Sequence, residues 1–237
     1  MAIQPELIYC ANGNRRYAEI AINSGYTYGA QLPGTVYFTP EFVDQDWKRP
    51  DRERYMAALS EHRPRMASVL DWERDEQLPE VLAWAEDAAR FVDVVMIIPK
   101  VHGGISRLPR RIAGADVRLG YSVPTKHGGT EVMAFEFIGW PVHLLGGSPG
   151  AQMRIAASGL NVRSADGNMM QKLASSRCLF WRSGKRPYTN GWLSIQQADG
   201  QRWGNGEAGA DANYEAFRRS CQNIYEAWEK ICKVKER

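Results

Sequence analysis

Residues 141–152 read PVHLLGGSPGAQ, an apolar stretch that passes through two glycines into a more polar one. The apolar part predicts a β-strand, and the part after the glycines predicts the start of an α-helix. Glycines in such a turn let a ligand approach the backbone, and the free N–H groups of the following helix favour an anion. We therefore predict phosphate or sugar binding at Gly146, Gly147 and Ser148, with a tight turn as the alternative.

The same strand-then-helix alternation runs from the N-terminus to about residue 181. Short runs rich in Val, Ile and Leu alternate with longer amphipathic stretches, which is the pattern of repeated βα units. The predicted strands are residues 7–11, 29–31, 36–38, 66–71, 92–99, 117–122, 142–145, 161–164 and 178–181. The predicted helices between them are residues 52–61, 78–90, 151–158 and 168–175.

This number of strands in a chain of 237 residues favours an α/β fold, an irregular TIM-like (β/α)8 barrel. An open doubly wound sheet is the alternative. Residues 1–181 form the predicted barrel core, and residues 182–237 form an extension rich in Arg and Trp. The extension contains a predicted hairpin at residues 192–197 and 201–203, and an amphipathic terminal helix that begins at Asp211 and packs on the barrel.

The composition is that of an ordinary globular protein, with 44% hydrophobic and 24% charged residues. The net charge of +3 is too small to indicate nucleic-acid binding by itself. The four cysteines form no CxxC pair, so no structural metal is expected. Without a signal-peptide pattern or an apolar stretch of about 18 residues, the chain is predicted to be cytoplasmic, with reduced thiols and no membrane contact.

Polar residues that follow the predicted strands are the candidate catalytic groups, because barrel enzymes carry their chemistry where strands end. His143 lies inside a strand instead and fits a buried, hydrogen-bonded core histidine. The strand ends supply the carboxyls, amide, imidazole and phenol of Asp71, Glu73, His102, Tyr121, Asp166 and Asn168, the last next to the predicted sugar and phosphate site.

Along residues 66–174 the motifs VLDWE, VHGG, a Gly-Tyr strand end, HLLGGSPGAQ and NVRSADGN follow one another. Their order and spacing resemble the second half of the tRNA-guanine transglycosylases. The succession is most similar to their compact DNA-directed relatives, the DpdA-type enzymes of phages and genomic islands that insert 7-deazaguanines into DNA. The resemblance implies a barrel enzyme that acts on the N-glycosidic bond of a nucleobase.

The resemblance implies that Asp166 is the catalytic nucleophile, attacking the anomeric carbon of the sugar. It implies that Asp71 recognises the base, and that His102 and Gly103 stand where the family has a base-contacting Gln-Gly-Gly turn. The leaving base also needs a proton or hydrogen bonds, and Asp71, Glu73 and His102 are the alternatives for that role. Further predicted contacts to the base come from Gln31, Glu73 and Tyr121.

The sequence departs from the family in two places. The family carries an acid/base aspartate in an early Asp-Ser-Gly motif, whereas the corresponding residues 28–34, around Gln31, include no carboxylate. The zinc site of the tRNA enzymes is also missing. We therefore expect no guanine exchange on tRNA, no metal and no cofactor, and the group that protonates the leaving base stays unassigned.

The leading hypothesis is excision of a modified base from DNA, in the manner of a DNA glycosylase and in the context of conflict between phage and host. Exchange of a base for a 7-deazaguanine is one alternative; action on a small phosphorylated metabolite and a catalytically inactive nucleic-acid binder are the others. The DNA would be single-stranded, or double-stranded with a flipped base. Its phosphates would be bound by basic residues interleaved with aromatic ones, Arg177, Arg182, Lys185 and Arg186.

Overall fold

The computed structural model describes residues 4–11, 14–125, 128–182, 190–194 and 207–234. Its strands and helices follow one another in the order expected of βα units, with some helices missing. In chain order they are β1 Glu6–Cys10, α1 Arg15–Asn23, β2 Thr27–Leu32, β3 Phe42–Gln45, α2 Arg52–His62, β4 Met66–Ser68, α3 Leu78–Ala88, β5 Val94–Ile97, β6 Arg111–Ile112, β7 Ala115–Ser122, β8 Pro141–Leu145, α4 Pro149–Ala157, β9 Asn161–Gly167, α5 Met169–Ala174, β10 Cys178–Arg182, β11 Asn190–Ser194 and α6 Glu207–Val234.

Eight parallel strands close into a barrel in the order β1, β2, β3, β4, β5, β7, β8, β9, with β9 paired back to β1. The pairing of β5 with β7 completes the ring, so the predicted TIM-like barrel is confirmed and the open sheet is excluded. The short strand β6 pairs antiparallel with β7 as an addition to the ring. Apolar side chains fill the interior of the barrel: Ile8, Phe42, Met66, Val94, Met96 and Ile98.

The barrel is irregular because several crossovers lack an α-helix. Within the described residues, none separates β2 from β3, β5 from β7, or β7 from β8. Single 3-10 turns, Ile105–Arg107 and Ala134–Phe137, stand in the last two places. The described helices are not long and apolar enough for any of them to cross a membrane.

One predicted strand is wrong, and another is confirmed as a strand but does not belong to the barrel. The third barrel strand is β3 rather than residues 36–38, because the β2–β3 connection has no helix to mark the boundary. Phe38 packs edge-on against Tyr28 instead, with 5.7 Å between the ring centroids. Residues 178–181 form a strand that lies outside the barrel ring, where β10 pairs antiparallel with β11.

The terminal helix α6 begins at Glu207 and packs against the outside of the barrel beside β1. The Phe217 ring meets Tyr9 of β1 at 5.3 Å and Tyr17 of α1 at 4.8 Å. The Tyr26 hydroxyl donates to the Cys221 carbonyl at 3.3 Å. Of the hairpin predicted in the extension, residues 192–194 belong to β11, and the rest lies outside the described residues.

Candidate active site

The carboxyl ends of the eight barrel strands meet at one end of the molecule, which we call the mouth. Because side chains alternate along a strand, every second residue near these ends faces the barrel interior. Burial raises the pKa of the Cys10 thiol at the end of β1, and the nearby carboxyls of Asp166 and Asp44 raise it further. These two carboxyls therefore share the mouth with Cys10, although β9 and β3 are separated by two strands.

Asp166 is held at the mouth through one of its two carboxyl oxygens. Its Oδ1 accepts the Gly146 backbone N–H at 3.0 Å and is 3.1 Å from the His143 Nε2. The side chain is 12% exposed. No group in the described parts of the chain hydrogen-bonds to Oδ2. Asp166, the predicted nucleophile, thus has Oδ1 held in place, whereas Oδ2 has no hydrogen-bond partner among the described residues.

A β-bulge near the start of β9 turns Asp166 inward. Val142 pairs with Val162, but the next residue of β8, His143, pairs with Ser164, so Arg163 has no partner on β8. The extra residue reverses the alternation of inward-facing and outward-facing side chains along β9. Val162 and Ala165 both belong to the apolar core between the barrel and its helices. Ser164 and Asp166 consequently face the interior, which is the re-aiming of side chains that bulges produce beside functional sites.

The loop of residues 146–148 between β8 and α4, which we call the glycine loop, helps to hold Asp166 in place. The Gln152 side-chain amide on α4 donates to the backbone carbonyls of Gly146 and Asp166, both at 2.7 Å. The Ser148 hydroxyl accepts the Ala151 N–H at 3.2 Å and caps α4. Asn168, by contrast, precedes α5 without a side-chain cap hydrogen bond. The contacts of the loop, including the Gly146 N–H on Asp166, bind β8, α4 and β9 together around this carboxyl.

Asp44 is a mouth carboxyl that the sequence did not reveal. It stands opposite Gln31 in the β2–β3 register, so a carboxyl on the neighbouring strand lies beside residues 28–34, which themselves include none. Burial raises the pKa of Asp44 to about 7, and the carboxyls of Asp166 and Asp71 add to the rise. The Ser68 hydroxyl donates to Asp44 Oδ1 at 2.5 Å and opposes part of that rise in pKa.

Asp71 and Lys100 form an ion pair just beyond the ends of β4 and β5. The Lys100 Nζ lies 2.8 Å from Asp71 Oδ2 and 3.0 Å from Glu73 Oε1. Burial raises the pKa of Asp71, while the ammonium of Lys100 limits the rise. Glu73 is more exposed, with 55% of its side chain accessible. The mouth therefore carries a third carboxyl, Asp71, neutralised by a lysine.

The other predicted base contacts pack or pair outside the barrel interior. Tyr121 faces the outer layer and packs on Phe137, because its neighbour Gly120 faces inward toward Ile98 and Met96. The His102 imidazole is 58% exposed and lies 3.2 Å from Glu136. Gly103 donates its N–H to the same carboxylate at 2.7 Å. Of the base-contacting set, Gln31 is the residue that the barrel brings beside Asp44.

Two of the four predicted DNA-binding residues lie in the described part of the chain. Arg177 follows α5 with a positive φ of 55°. Arg182 ends β10, while Lys185 and Arg186 lie outside the described residues.

Large apolar side chains are exposed on the loops that follow β3 and β7. Trp47 is 57% exposed, and the Lys48 ammonium lies 5.2 Å from its ring centroid. On the loop after β7, Met133 is 55% and Phe135 65% exposed. The sequence did not single out these residues, since an isolated Trp or Phe in a loop carries no signal of its exposure.

Fold and mouth together define the class of the protein: a (β/α)8 barrel whose strand ends gather several carboxyls and a lysine. Residues 21–229 match the family of unknown function DUF6610, and the chain belongs to that family. No curated protein matches the sequence.

Proposed function

We propose that the protein cleaves the N-glycosidic bond between a nucleobase and its sugar in DNA. The observation that carries the proposal is the hold on Asp166, whose Oδ1 accepts the Gly146 N–H and lies 3.1 Å from His143 Nε2, while Oδ2 has no hydrogen-bond partner in the described residues. A carboxylate fixed in this way is suited to attack an anomeric carbon or to stabilise an oxocarbenium-like transition state.

Asp44 supports the proposal as the general acid. With a pKa of about 7 it retains a proton up to neutral pH, as a group must that protonates a leaving base. In the proposed step the C1′–N bond breaks, its electron pair goes to the base nitrogen, and the Asp44 proton goes to the base. The hydroxyl of a water then bonds to C1′ in place of the Asp166 carboxylate, and the water proton returns to Asp44, which leaves an abasic site. In an exchange, an incoming base would bond to C1′ through its nitrogen and give its N–H proton to Asp44.

Asp71 and Lys100 are proposed to recognise the base. An ion pair at the mouth offers a hydrogen-bond acceptor beside a donor, which a heterocycle with both kinds of group on one edge would match. This assignment keeps the role that the family resemblance implies for Asp71. His102 is not included, because its ring is exposed and pairs with Glu136.

The exposed aromatic side chains favour nucleic acid over a small metabolite. Trp47 beside Lys48 on the loop after β3, and Phe135 on the loop after β7, are exposed and of the types that stack on bases or wedge between them. A phosphate cup at the glycine loop is less favoured, because the Gly146 N–H is bonded to Asp166 and Pro149 has no N–H.

The test is incubation with unmodified and phage-modified DNA, with and without a free 7-deazaguanine base. Released base is measured by mass spectrometry, and abasic sites by strand cleavage. We expect base release by the wild type, and unchanged DNA binding without release by Asp166→Ala. Absence of release from every DNA, or release by Asp166→Ala, contradicts the proposal.

The proposed contact of Trp47 and Phe135 with DNA is tested separately, first through the salt dependence of DNA affinity. Trp47→Ala and Phe135→Ala are expected to weaken binding, by about 1–3 kcal/mol for each stacked base. Ile22→Ala, an exposed apolar residue near the end of α1, is the matched control and should leave affinity unchanged. Affinity that hardly changes with salt would favour the metabolite alternative.

A further inference from the structure

A continuous row of buried polar groups crosses the barrel interior below the mouth. The Arg118 Nη1 donates to Ser164 Oγ at 2.9 Å, Ser164 Oγ lies 2.7 Å from His143 Nδ1, and His143 Nε2 lies 3.1 Å from Asp166 Oδ1. Ser164 and His143 have no exposed surface. The row joins β7, β9 and β8 and ends on the carboxyl that the proposed function makes the nucleophile.

The direction of each hydrogen bond follows from counting protons. Arg118 has only donors, so Ser164 Oγ must accept from it. Ser164 then has one proton to donate, and His143 Nδ1 is the sole acceptor that the described residues offer it. Because buried hydroxyls are almost always paired, Nδ1 accepts this proton and Nε2 carries the ring hydrogen.

We infer that Arg118, Ser164 and His143 form a directional relay that fixes His143 with its proton on Nε2, where it donates to Asp166 Oδ1 and leaves Oδ2 for the substrate. His143 and Ser164 are thus positioning residues. The importance of this hold for catalysis rests on the proposed function, whereas the hydrogen-bond directions rest on the geometry of the barrel interior.

The β9 bulge and the burial of the row support the relay. Without the unpaired Arg163, Ser164 would not stand opposite His143. The Phe42 ring stacks at a tilt on the imidazole, 4.9 Å between centroids, and restricts its rotation. Arg118 also approaches Met66 Sδ at 3.4 Å, and burial lowers its pKa to about 10, which still leaves it charged at neutral pH.

The direct test is the ring protonation of His143, read by proton–nitrogen correlation NMR on protein with 15N-labelled histidine. The chain has four histidines, and the His143 signals are those lost in His143→Gln. We expect one ring proton, on Nε2, and an unprotonated Nδ1. A proton on Nδ1 in the wild type overturns the relay, whether or not the protein releases a base.

Variants then separate positioning from mere packing. Ser164→Ala should let the ring proton redistribute between the two nitrogens, and should lower kcat for base release about 10- to 100-fold with KM little changed. Ser158→Ala, which removes an exposed serine hydroxyl at the C-terminal end of α4, is a matched control that should change neither the ring signals nor kcat. Unchanged ring signals and unchanged kcat in a folded Ser164→Ala protein would contradict the relay. Total absence of base release by the wild type would instead count against the proposed function alone.

Discussion

The Ser68 hydroxyl donates to the Asp44 carboxyl at 2.5 Å and accepts the Gln45 backbone N–H at 3.0 Å. Ser68 of β4 therefore holds the Asp44 side chain of β3 at the mouth. Burial nevertheless dominates and raises the pKa of Asp44 from 3.8 to about 7. The native structure therefore binds a proton that the unfolded chain releases near pH 4.

This raised pKa makes the free energy of unfolding depend on pH. The contribution of Asp44 to stability is fully present below about pH 4 and is lost as pH rises through about 7, at about 1.4 kcal/mol per pH unit at most. Asp44→Asn, which mimics the protonated side chain, should match the wild type at pH 4 and be the more stable at pH 8. Urea unfolding at both values measures this, with exposed Glu76→Gln as the control. Parallel stability curves for Asp44→Asn and the wild type would refute the raised pKa.

The same substitution should act on catalysis in the opposite sense. If Asp44 protonates the leaving base, base release by the wild type falls as pH rises through about 7. Asp44→Asn cannot donate an acidic proton, so its rate should be lower by about 10²- to 10⁴-fold and should not show that fall. A pH–rate profile of single-turnover base release is the measurement. A fall near pH 7 that persists in Asp44→Asn would assign it to another group.

Lys100 should contribute more to stability than its exposed neighbour Glu73. Lys100→Met leaves the Asp71 carboxyl without a cation, and we expect a loss of about 2 kcal/mol that grows with pH, because the pKa of Asp71 is already raised by burial. Glu73→Gln removes only the outer partner and should change stability by less than about 0.5 kcal/mol. Urea denaturation compares the two variants. Equal losses of unfolding free energy in the two variants would contradict the larger contribution expected of the Asp71–Lys100 ion pair.

The two loop glycines should differ in their tolerance of alanine. Both have positive φ, 60° at Gly146 and 74° at Gly147, so each substitution carries about 1–2 kcal/mol of backbone strain. A Cβ at Gly147 would also lie 2.5 Å from Val123 Cγ1, whereas one at Gly146 meets nothing within 4 Å. Gly147→Ala should therefore lower the melting temperature more than Gly146→Ala does. A larger decrease in melting temperature for Gly146→Ala would contradict the close packing of Gly147 on Val123, the residue after β7.

The parts of the fold that sequence could predict are those with local signals. Strands such as β5 and β8 are continuous apolar runs flanked by turns, which made the barrel recognisable. β3 was missed because its inward residue Asp44 interrupts the apolar pattern, and because the preceding crossover has no helix. Asp44, the proposed general acid, was thus overlooked through an error of strand assignment.

Other parts of the candidate site depend on register, which sequence does not specify at a bulge. His143 was predicted as a buried, hydrogen-bonded histidine, but its partners Ser164 and Asp166 follow from the unpaired Arg163. The outward turn of Tyr121 has a similar origin, because alternation along β7 can be read only once one residue of the strand is known to face inward.

The helix α6, which helps to cover β1, is made long after that strand. Tyr9 and Phe217 touch across a sequence separation of most of the given chain, so Tyr9 lacks this aromatic partner until the ribosome has added α6. During synthesis the growing chain must therefore keep part of this apolar surface exposed until α6 emerges, and in that interval chaperone binding and aggregation compete with folding.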